Sequence, residues 1–146
     1  MQISRLSQGP LVLDGENIDL ISVKINNQLL GKEQYKITNS KLIINDTPNK
    51  FSLEIINTIN PSINNALMGL YVSDNKFCTQ CEAEGFRRIT YYLDRPDVLS
   101  KFKVKITANK NDCPYLLCVA VANSGQKART KSFLYLHFSS ANKEIK

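Results

Sequence analysis

Short apolar runs separated by turn-forming residues dominate the first half of this 146-residue chain, and their spacing constrains the fold more than any other feature. Apolar and polar residues alternate through residues 18–26, which predicts a strand with Ile21, Val23 and Ile25 on one face. Asn-Ser and Asp-Thr-Pro-Asn supply turns between further expected strands at residues 35–37, 42–44 and 51–55. Because helical periodicity is absent from this half, we expect a mainly β fold, an antiparallel sheet or sandwich.

The second half continues the β pattern around one segment of different character. We expect strands at residues 66–72, 102–108 and 132–138. Between the first two, residues 78–97 predict a strand end, a tight turn and a short helical turn near residues 86–95. Pro96 should end that helical turn, because the residue before a proline avoids the helical conformation.

Charges of alternating sign surround the two tyrosines of this segment. We expect them to lock a tight turn through local ion pairs, each of them weak if exposed, and we assign them no chemistry. The residues concerned are Arg87, Arg88, Asp94, Arg95 and Asp97.

The formal net charge of +6 raises the question of nucleic-acid binding, but its distribution argues against it. Residues 118–146 carry five basic residues and one acidic residue, whereas residues 1–117 carry 14 basic and 12 acidic residues. Since the positive charges of the main body are scattered, we expect no nucleic-acid partner. No apolar run reaches the roughly 20 residues of a membrane span, and no secretory signal begins the chain. We therefore expect no membrane partner and a cytoplasmic location.

Four cysteines fall as two pairs, Cys78-x-x-Cys81 and Cys113-x4-Cys118. Two thiolate pairs of roughly this form can bind a structural zinc ion, so a small four-cysteine zinc domain is one alternative. The second pair lies in a more apolar setting than a zinc knuckle usually has. That setting favours reduced cysteines that pack as small apolar side chains, and a redox pair is a third interpretation.

The sequence lacks the motifs of self-contained catalysis. Its one histidine, His137, lies in an apolar run, and no His-Glu-x-x-His zinc motif occurs. The chain also has no Gly-x-Ser-x-Gly nucleophile motif and no glycine-rich phosphate loop. We therefore assign the chain no catalytic residue and no metal ligand.

Gln80 and Glu82 are the candidate binding residues. On a strand, residues two apart point to the same side, so this amide and this carboxylate would project together. Such a pair can receive the ammonium group of a peptide N-terminus, because the carboxylate supplies charge and the amide oxygen accepts a hydrogen bond. The alternative is a solvated pair, or a Glu82 neutralised by Arg87 or Arg88. Residue types alone favour that alternative.

The same segment resembles a known family. Its run Cys-Thr-Gln-Cys-Glu-Ala-Glu-Gly-Phe-Arg, followed by Ile-Thr-Tyr-Tyr-Leu-Asp-Arg-Pro-Asp-Val-Leu, is similar to the N-terminal domain of bacterial aminopeptidase N, a zinc aminopeptidase of the gluzincin class. The likeness extends over about residues 9–117. It implies a saddle-like β-domain at residues 1–117, incomplete at its start, which precedes a catalytic domain in the family.

The resemblance favours the binding role of Gln80 and Glu82 over the alternative. In the family a Gln-x-Glu at this place lines the substrate pocket, and its glutamate helps to hold the free α-amine of the peptide. The whole enzyme would use a zinc-activated water to attack the first peptide bond. The family elements that carry out this chemistry, Gly-Ala-Met-Glu-Asn and His-Glu-x-x-His-x18-Glu, do not occur in this chain.

After about residue 117 the likeness stops, and we expect residues 118–146 to form a divergent basic tail. An out-of-frame continuation of a truncated gene would produce such a change, and an authentic divergent end is the alternative.

We therefore predict a fragment of a zinc-dependent aminopeptidase, a metallopeptidase that releases N-terminal amino acids from peptides. Alone it is expected to be inactive and to carry no cofactor, since the zinc belongs to the full-length family enzyme. The expected partners are a peptide N-terminus, bound through Glu82 and Gln80, and a catalytic domain on another chain. The alternatives are a non-catalytic β-domain that binds a peptide or protein partner, and the four-cysteine zinc domain.

Overall fold

The computed structural model of the chain describes residues 1–5, 9–98, 100–109 and 131–137. The chain divides into two compact units, one of residues 2–98 and one of Met1 with residues 99–146. No helix within the described ranges is long and apolar enough to cross a membrane.

The first unit is built from short strands with two single-turn 3-10 helices. Its strands are β1 (Gln2–Ser4), β2 (Leu11–Asp14), β3 (Asp19–Ile25), β4 (Gln28–Leu29), β5 (Tyr35–Ile37), β6 (Lys41–Ile44), β7 (Lys50–Thr58), β8 (Gly69–Ser73) and β9 (Lys76–Gln80). The 3-10 helices are Pro61–Ile63 and Phe86–Arg88. The expected mainly β class is confirmed.

Three antiparallel sheets organise this unit. One has the strand order β1-β7-β3-β4, a second has the order β2-β6-β5, and β8 and β9 form a two-stranded hairpin. The turn between β3 and β4 is made by Asn26 and Asn27, whose φ angles are 49° and 67°. Asparagine tolerates this left-handed conformation, so the sequence indicates this turn correctly.

The core of the unit draws on both larger sheets. Leu13, Leu42 and Ile44 are almost fully buried in the three-stranded sheet, and Val23 and Leu53 are almost fully buried in the four-stranded one. Burying a side chain of this size contributes about 1.5–3 kcal/mol. The alternation in the sequence therefore identifies most of the core.

The prediction for Ile21 is wrong. Val23 and Ile25 are buried as expected, but 61% of Ile21 is exposed to solvent. The register of β3 against β7 shifts between Leu20 and Ser22, so an extra residue enters β3 at this point. Such a bulge leaves one residue unpaired and breaks the alternation, and here that residue is Ile21.

Two predicted boundaries need correction. The strand expected at residues 66–72 begins only at Gly69. Leu67 has a left-handed φ of 55°, which no regular strand contains. The side-chain amide of Asn64 donates to the carbonyl oxygens of Met68 and Leu70. The helical turn expected near residues 86–95 is the 3-10 helix Phe86–Arg88 alone. It ends early because Tyr92 joins a β-bridge to Asp14, with N–H to oxygen distances of 2.7 and 3.0 Å.

The second unit contains β10 (Lys101–Thr107) and β11 (Lys131–His137). These strands match the predictions for residues 102–108 and 132–138 to within one residue. They pair in parallel, with Lys101 opposite Lys131 and Thr107 opposite His137. A parallel pair needs a long crossover connection, and alternation along one strand does not indicate its partner's direction. The mainly antiparallel fold thus contains one parallel pair, which the sequence pattern does not indicate.

Candidate functional site

The β8–β9 hairpin carries Gln80 at its open end. Asp74 and Asn75 turn the chain between the two strands with φ angles of 49° and 57°. The register that follows places Gln80 opposite Gly69, the first residue of β8. Gln80 is thus the last residue of β9, and its side chain is exposed.

Glu82 lies beyond the strand, in the turn closed by a 2.9 Å hydrogen bond from the Gly85 amide to the Cys81 carbonyl oxygen. The alternation of a strand therefore does not extend to Glu82. A different contact joins the two candidates, since Nε2 of Gln80 donates to the main-chain carbonyl oxygen of Glu82 over 3.1 Å. The peptide bond from Glu82 to Ala83 is cis.

Two glycines let the hairpin and this turn approach closely. A Cβ atom on Gly85 would lie 2.5 Å from the carbonyl oxygen of Gln80 and 3.1 Å from the amide nitrogen of Gly69. A Cβ on Gly69, whose φ is 74°, would lie 2.6 Å from Cβ of Arg88. Only residues without a side chain fit such an approach, so backbone packing fixes the turn against the hairpin.

The Glu82 carboxylate is exposed and forms no ion pair with any residue that the structure describes. The alternative in which Arg87 or Arg88 neutralises it is not found. Nη2 of Arg87 lies 2.7 Å from Oε2 of Glu84, and Nη2 of Arg88 lies 2.8 Å from Oε2 of Glu16. Both arginines therefore form ion pairs with other carboxylates.

Arg87 and Asp94 form the most enclosed ion pair beside the turn. Nε and the main-chain N–H of Arg87 both donate to Oδ2 of Asp94 over 3.0 Å, and Nη2 donates to the Asp94 carbonyl oxygen over 2.8 Å. Asp94 is only 6% exposed. Burial alone would lower the pKa of Arg87, but Asp94, Asp14 and Glu84 outweigh it and raise that pKa. The expected local ion pairs are found for Arg87 with Asp94 and for Arg95 with Asp97, whereas Arg88 pairs with the distant Glu16. The pair of Arg87 and Asp94 is partly buried rather than superficial.

Asp14 connects this segment to the three-stranded sheet. Oδ1 of Asp14 forms an ion pair with Nζ of Lys41, on the neighbouring strand β6, at 2.6 Å. Its Oδ2 accepts a hydrogen bond from the main-chain N–H of Asp94 over 3.3 Å. Burial alone would raise the pKa of Asp14, but Lys41, the Asp94 amide and Arg87 together lower it. The carboxylate is therefore held in its charged form.

Further contacts fix residues 86–92. The Asn57 amide on β7 donates to the Ile89 carbonyl oxygen over 2.9 Å, and the Thr90 hydroxyl donates to Oδ1 of Asn57 over 2.8 Å. The rings of Phe86 and Tyr92 meet edge to face at 5.0 Å. These contacts anchor the chain that follows the turn to the body of the unit.

The first cysteine pair, Cys78 and Cys81, is half-buried and unbridged. Burial raises the pKa of the Cys81 thiol, and the charge of Asp94 raises it further. A thiol with a raised pKa is a poor nucleophile at neutral pH. Cys113 and Cys118 lie outside the described residues, so the four-cysteine zinc domain and the redox pair stay predictions. Within the described residues no group of three or more histidine, cysteine or acidic side chains could hold a metal ion.

Known proteins are similar to this chain over most of its length. A model of the Peptidase M1 N-terminal domain matches residues 10–144. Aminopeptidase N of Escherichia coli strain K12 is 52% identical over 111 residues, and that of Caulobacter vibrioides is 50% identical over 108 residues. These alignments cover 76% and 74% of this chain and 12% of each relative. The chain thus spans a small part of the length of the curated relatives that it matches.

A solved structure agrees with these matches. The crystal structure of Legionella pneumophila aminopeptidase A in complex with aspartic acid superposes with a TM-score of 0.71 at 40% sequence identity. It covers 75% of this chain, which in turn corresponds to 13% of that protein. The expected boundary between a domain at residues 1–117 and a tail at residues 118–146 stays a prediction.

Proposed function

Because this chain belongs to the Peptidase M1 N-terminal domain family, we propose that it is part of a zinc-dependent aminopeptidase and forms one wall of the pocket for the substrate N-terminus. Its identity of 52% with an aminopeptidase N supports the activity class, which is aminopeptidase, protease and hydrolase. The unpaired Glu82 carboxylate, among the described residues, is the observation that carries the binding role.

The proposed roles divide between the two side chains of the site. Glu82 supplies the negative charge that attracts the α-ammonium group of a peptide, and Gln80 supports the backbone of Glu82 through its 3.1 Å hydrogen bond. The amide oxygen of Gln80 is the second acceptor for that ammonium group. Acetylation of the peptide removes the charge that this site recognises.

The exposure of Glu82 limits what this chain achieves alone. A carboxylate and an ammonium group about 4 Å apart attract by about 1 kcal/mol in water and by about 4 kcal/mol at an effective dielectric constant of 20. A second wall that excludes water is therefore needed for strong binding. We propose that the catalytic part of the enzyme supplies that wall.

The residues of this chain do not fit a catalytic zinc ion. The sequence contains neither His-Glu-x-x-His nor Gly-Ala-Met-Glu-Asn, and the described residues offer no cluster of ligands. We therefore propose that the chain is catalytically silent alone and that its contribution is to hold and orient the peptide. A cytoplasmic location is part of this proposal.

A second candidate function is a non-catalytic module that binds peptide N-termini without any catalytic partner. The exposed Glu82 supports it equally, since amine recognition requires no zinc. Calorimetry with the full chain tests the binding that both functions share. Trialanine amide should bind weakly but more tightly than its N-acetylated form, and equal binding of the two would remove the proposed role of Glu82.

A further inference from the structure

Two glutamates flank Ala83 in the turn after β9, and they differ in their partners. Both Glu82 and Glu84 are exposed. Glu84 receives Nη2 of Arg87 at 2.7 Å, whereas Glu82 has no ion pair within the described part of the chain. Of two carboxylates in one turn, a single one is therefore available to a cationic ligand.

Arg87 is itself held from several sides. Its Nε, Nη2 and main-chain N–H all donate to Asp94, and its carbonyl oxygen accepts from the Glu16 amide over 2.9 Å. The Arg87 side chain is 18% exposed. A guanidinium group fixed in this way loses little further freedom when it binds a second carboxylate. Glu84 is thus tied to the body of the unit through the buried Asp94.

We propose that Arg87 is a positioning residue for Glu82. By holding Glu84 against Asp94 it fixes the turn between Cys81 and Gly85, and it leaves Glu82 as the carboxylate that meets the peptide ammonium group. This inference rests on the proposed function, because it concerns the same binding site. It adds a residue that touches no substrate yet decides which glutamate does.

Charge and positioning predict opposite effects for the loss of Arg87. Arg87 is a cation near a site for a cation, so by Coulomb repulsion alone its removal would strengthen the binding of an ammonium group. A positioning role requires the removal to weaken that binding, since Glu84 and the turn are released. The direction of the change therefore separates the two.

The test is calorimetric titration of trialanine amide and its N-acetylated form into the full chain. Wild type is compared with Arg87→Gln, Arg87→Lys, Glu82→Gln and the double variant Arg87→Gln/Glu82→Gln. We expect Arg87→Gln to weaken binding of the free amine about tenfold without changing that of the acetylated peptide. In the Glu82→Gln background the Arg87 change should have no further effect, because Arg87 acts through Glu82.

Arg87→Lys keeps the charge but cannot reproduce the fork that reaches both carboxylates, so it should also weaken binding of the free amine. Thermal unfolding shows whether each variant is folded. If Arg87→Gln does not fold, Arg87→Lys decides the test. If wild type binds both peptides equally, the proposed function and this inference are both overturned. If wild type and Glu82→Gln behave as expected but both Arg87 variants bind as wild type or more tightly, only this inference is overturned. Equal weakening of both peptides would mark a merely structural role and also overturn it.

Discussion

Gly85 packs so closely against Gln80 that a Cβ atom at position 85 would lie 2.5 Å from the Gln80 carbonyl oxygen. Its φ is −90°, which any residue adopts, so close approach rather than backbone conformation requires the glycine. The opposing atoms are main-chain atoms of Gln80, Cys81 and Gly69, which cannot turn away as a flexible side chain does. The turn that carries Glu82 therefore depends on the absence of a side chain at Gly85.

We predict that Gly85→Ala destabilises the chain by about 1–3 kcal/mol, the usual cost of forcing an extra methyl group into a packed site. Urea unfolding measures the change in the free energy of unfolding. Gly31→Ala is the matched control, because there the nearest atom is the carboxylate end of the Glu33 side chain, which is free to move aside. Equal stability of the two variants would contradict the close packing.

A second prediction contrasts two Arg–Asp pairs of the same segment. Arg87 and Asp94 have side chains 18% and 8% exposed, whereas Arg95 and Asp97 are 60% and 68% exposed. Asp94→Asn leaves the Arg87 charge without its main partner and should cost about 3 kcal/mol, while Asp97→Asn should cost less than about 1 kcal/mol. Thermal unfolding of both variants measures the difference. Similar losses of stability in the two variants would contradict the prediction that the more buried pair contributes more.

The lowered pKa of Asp14 predicts an acid dependence of stability. Since the pKa is lower in the folded chain than in the unfolded one, the carboxylate contributes stability above its unfolded pKa and loses it as pH falls through the folded pKa. The free energy of unfolding should fall as the pH drops below about 4, the usual pKa of an unfolded aspartate, and that of Asp14→Asn should fall less steeply. Denaturant titrations at a series of pH values measure both slopes. Parallel curves for wild type and Asp14→Asn would refute the prediction.

The purified chain should not hydrolyse alanyl or arginyl chromogenic substrates, with or without added zinc. The reason is that the sequence contains no His-Glu-x-x-His motif, which would supply two zinc ligands and the catalytic glutamate. Release of the chromophore measures turnover. Robust hydrolysis that stays with the chain through purification would overturn the proposal that the chain alone is catalytically silent.

Local patterns in the sequence predict most strands but not the irregular ones. Alternation identifies Val23 and Leu53 as buried, yet the same rule places Ile21 on the wrong face because a bulge interrupts the strand. The pairing of β10 with β11 is parallel, and a strand's own pattern contains no information on its partner's direction. Pairing and bulges depend on the neighbouring strand, so they emerge only from the folded chain.

Within the candidate site, too, the local sequence indicates some contacts and not others. The spacing of Glu84 and Arg87, three residues apart, could have indicated their ion pair. The contact of Asp14 with the Asp94 amide spans 80 residues of sequence, and nothing local predicts it. The family resemblance gave Gln80 and Glu82 their proposed binding role, and the strand argument placed Glu82 on β9, which ends at Gln80. The binding role of Gln80 and Glu82 stays a prediction, and the long-range contacts beside them could not be predicted from local sequence.

The most direct test of the binding role is the affinity of the Glu82→Gln variant for a free-amine peptide. Glu33→Gln, which removes an exposed carboxylate elsewhere in the chain, is the control for net charge. In calorimetric titrations with trialanine amide and its N-acetylated form, wild type and Glu33→Gln should prefer the free amine. Glu82→Gln should bind the two peptides equally, because its side chain no longer carries the charge that attracts an ammonium group. A Glu82→Gln variant that keeps the full preference would contradict the central claim.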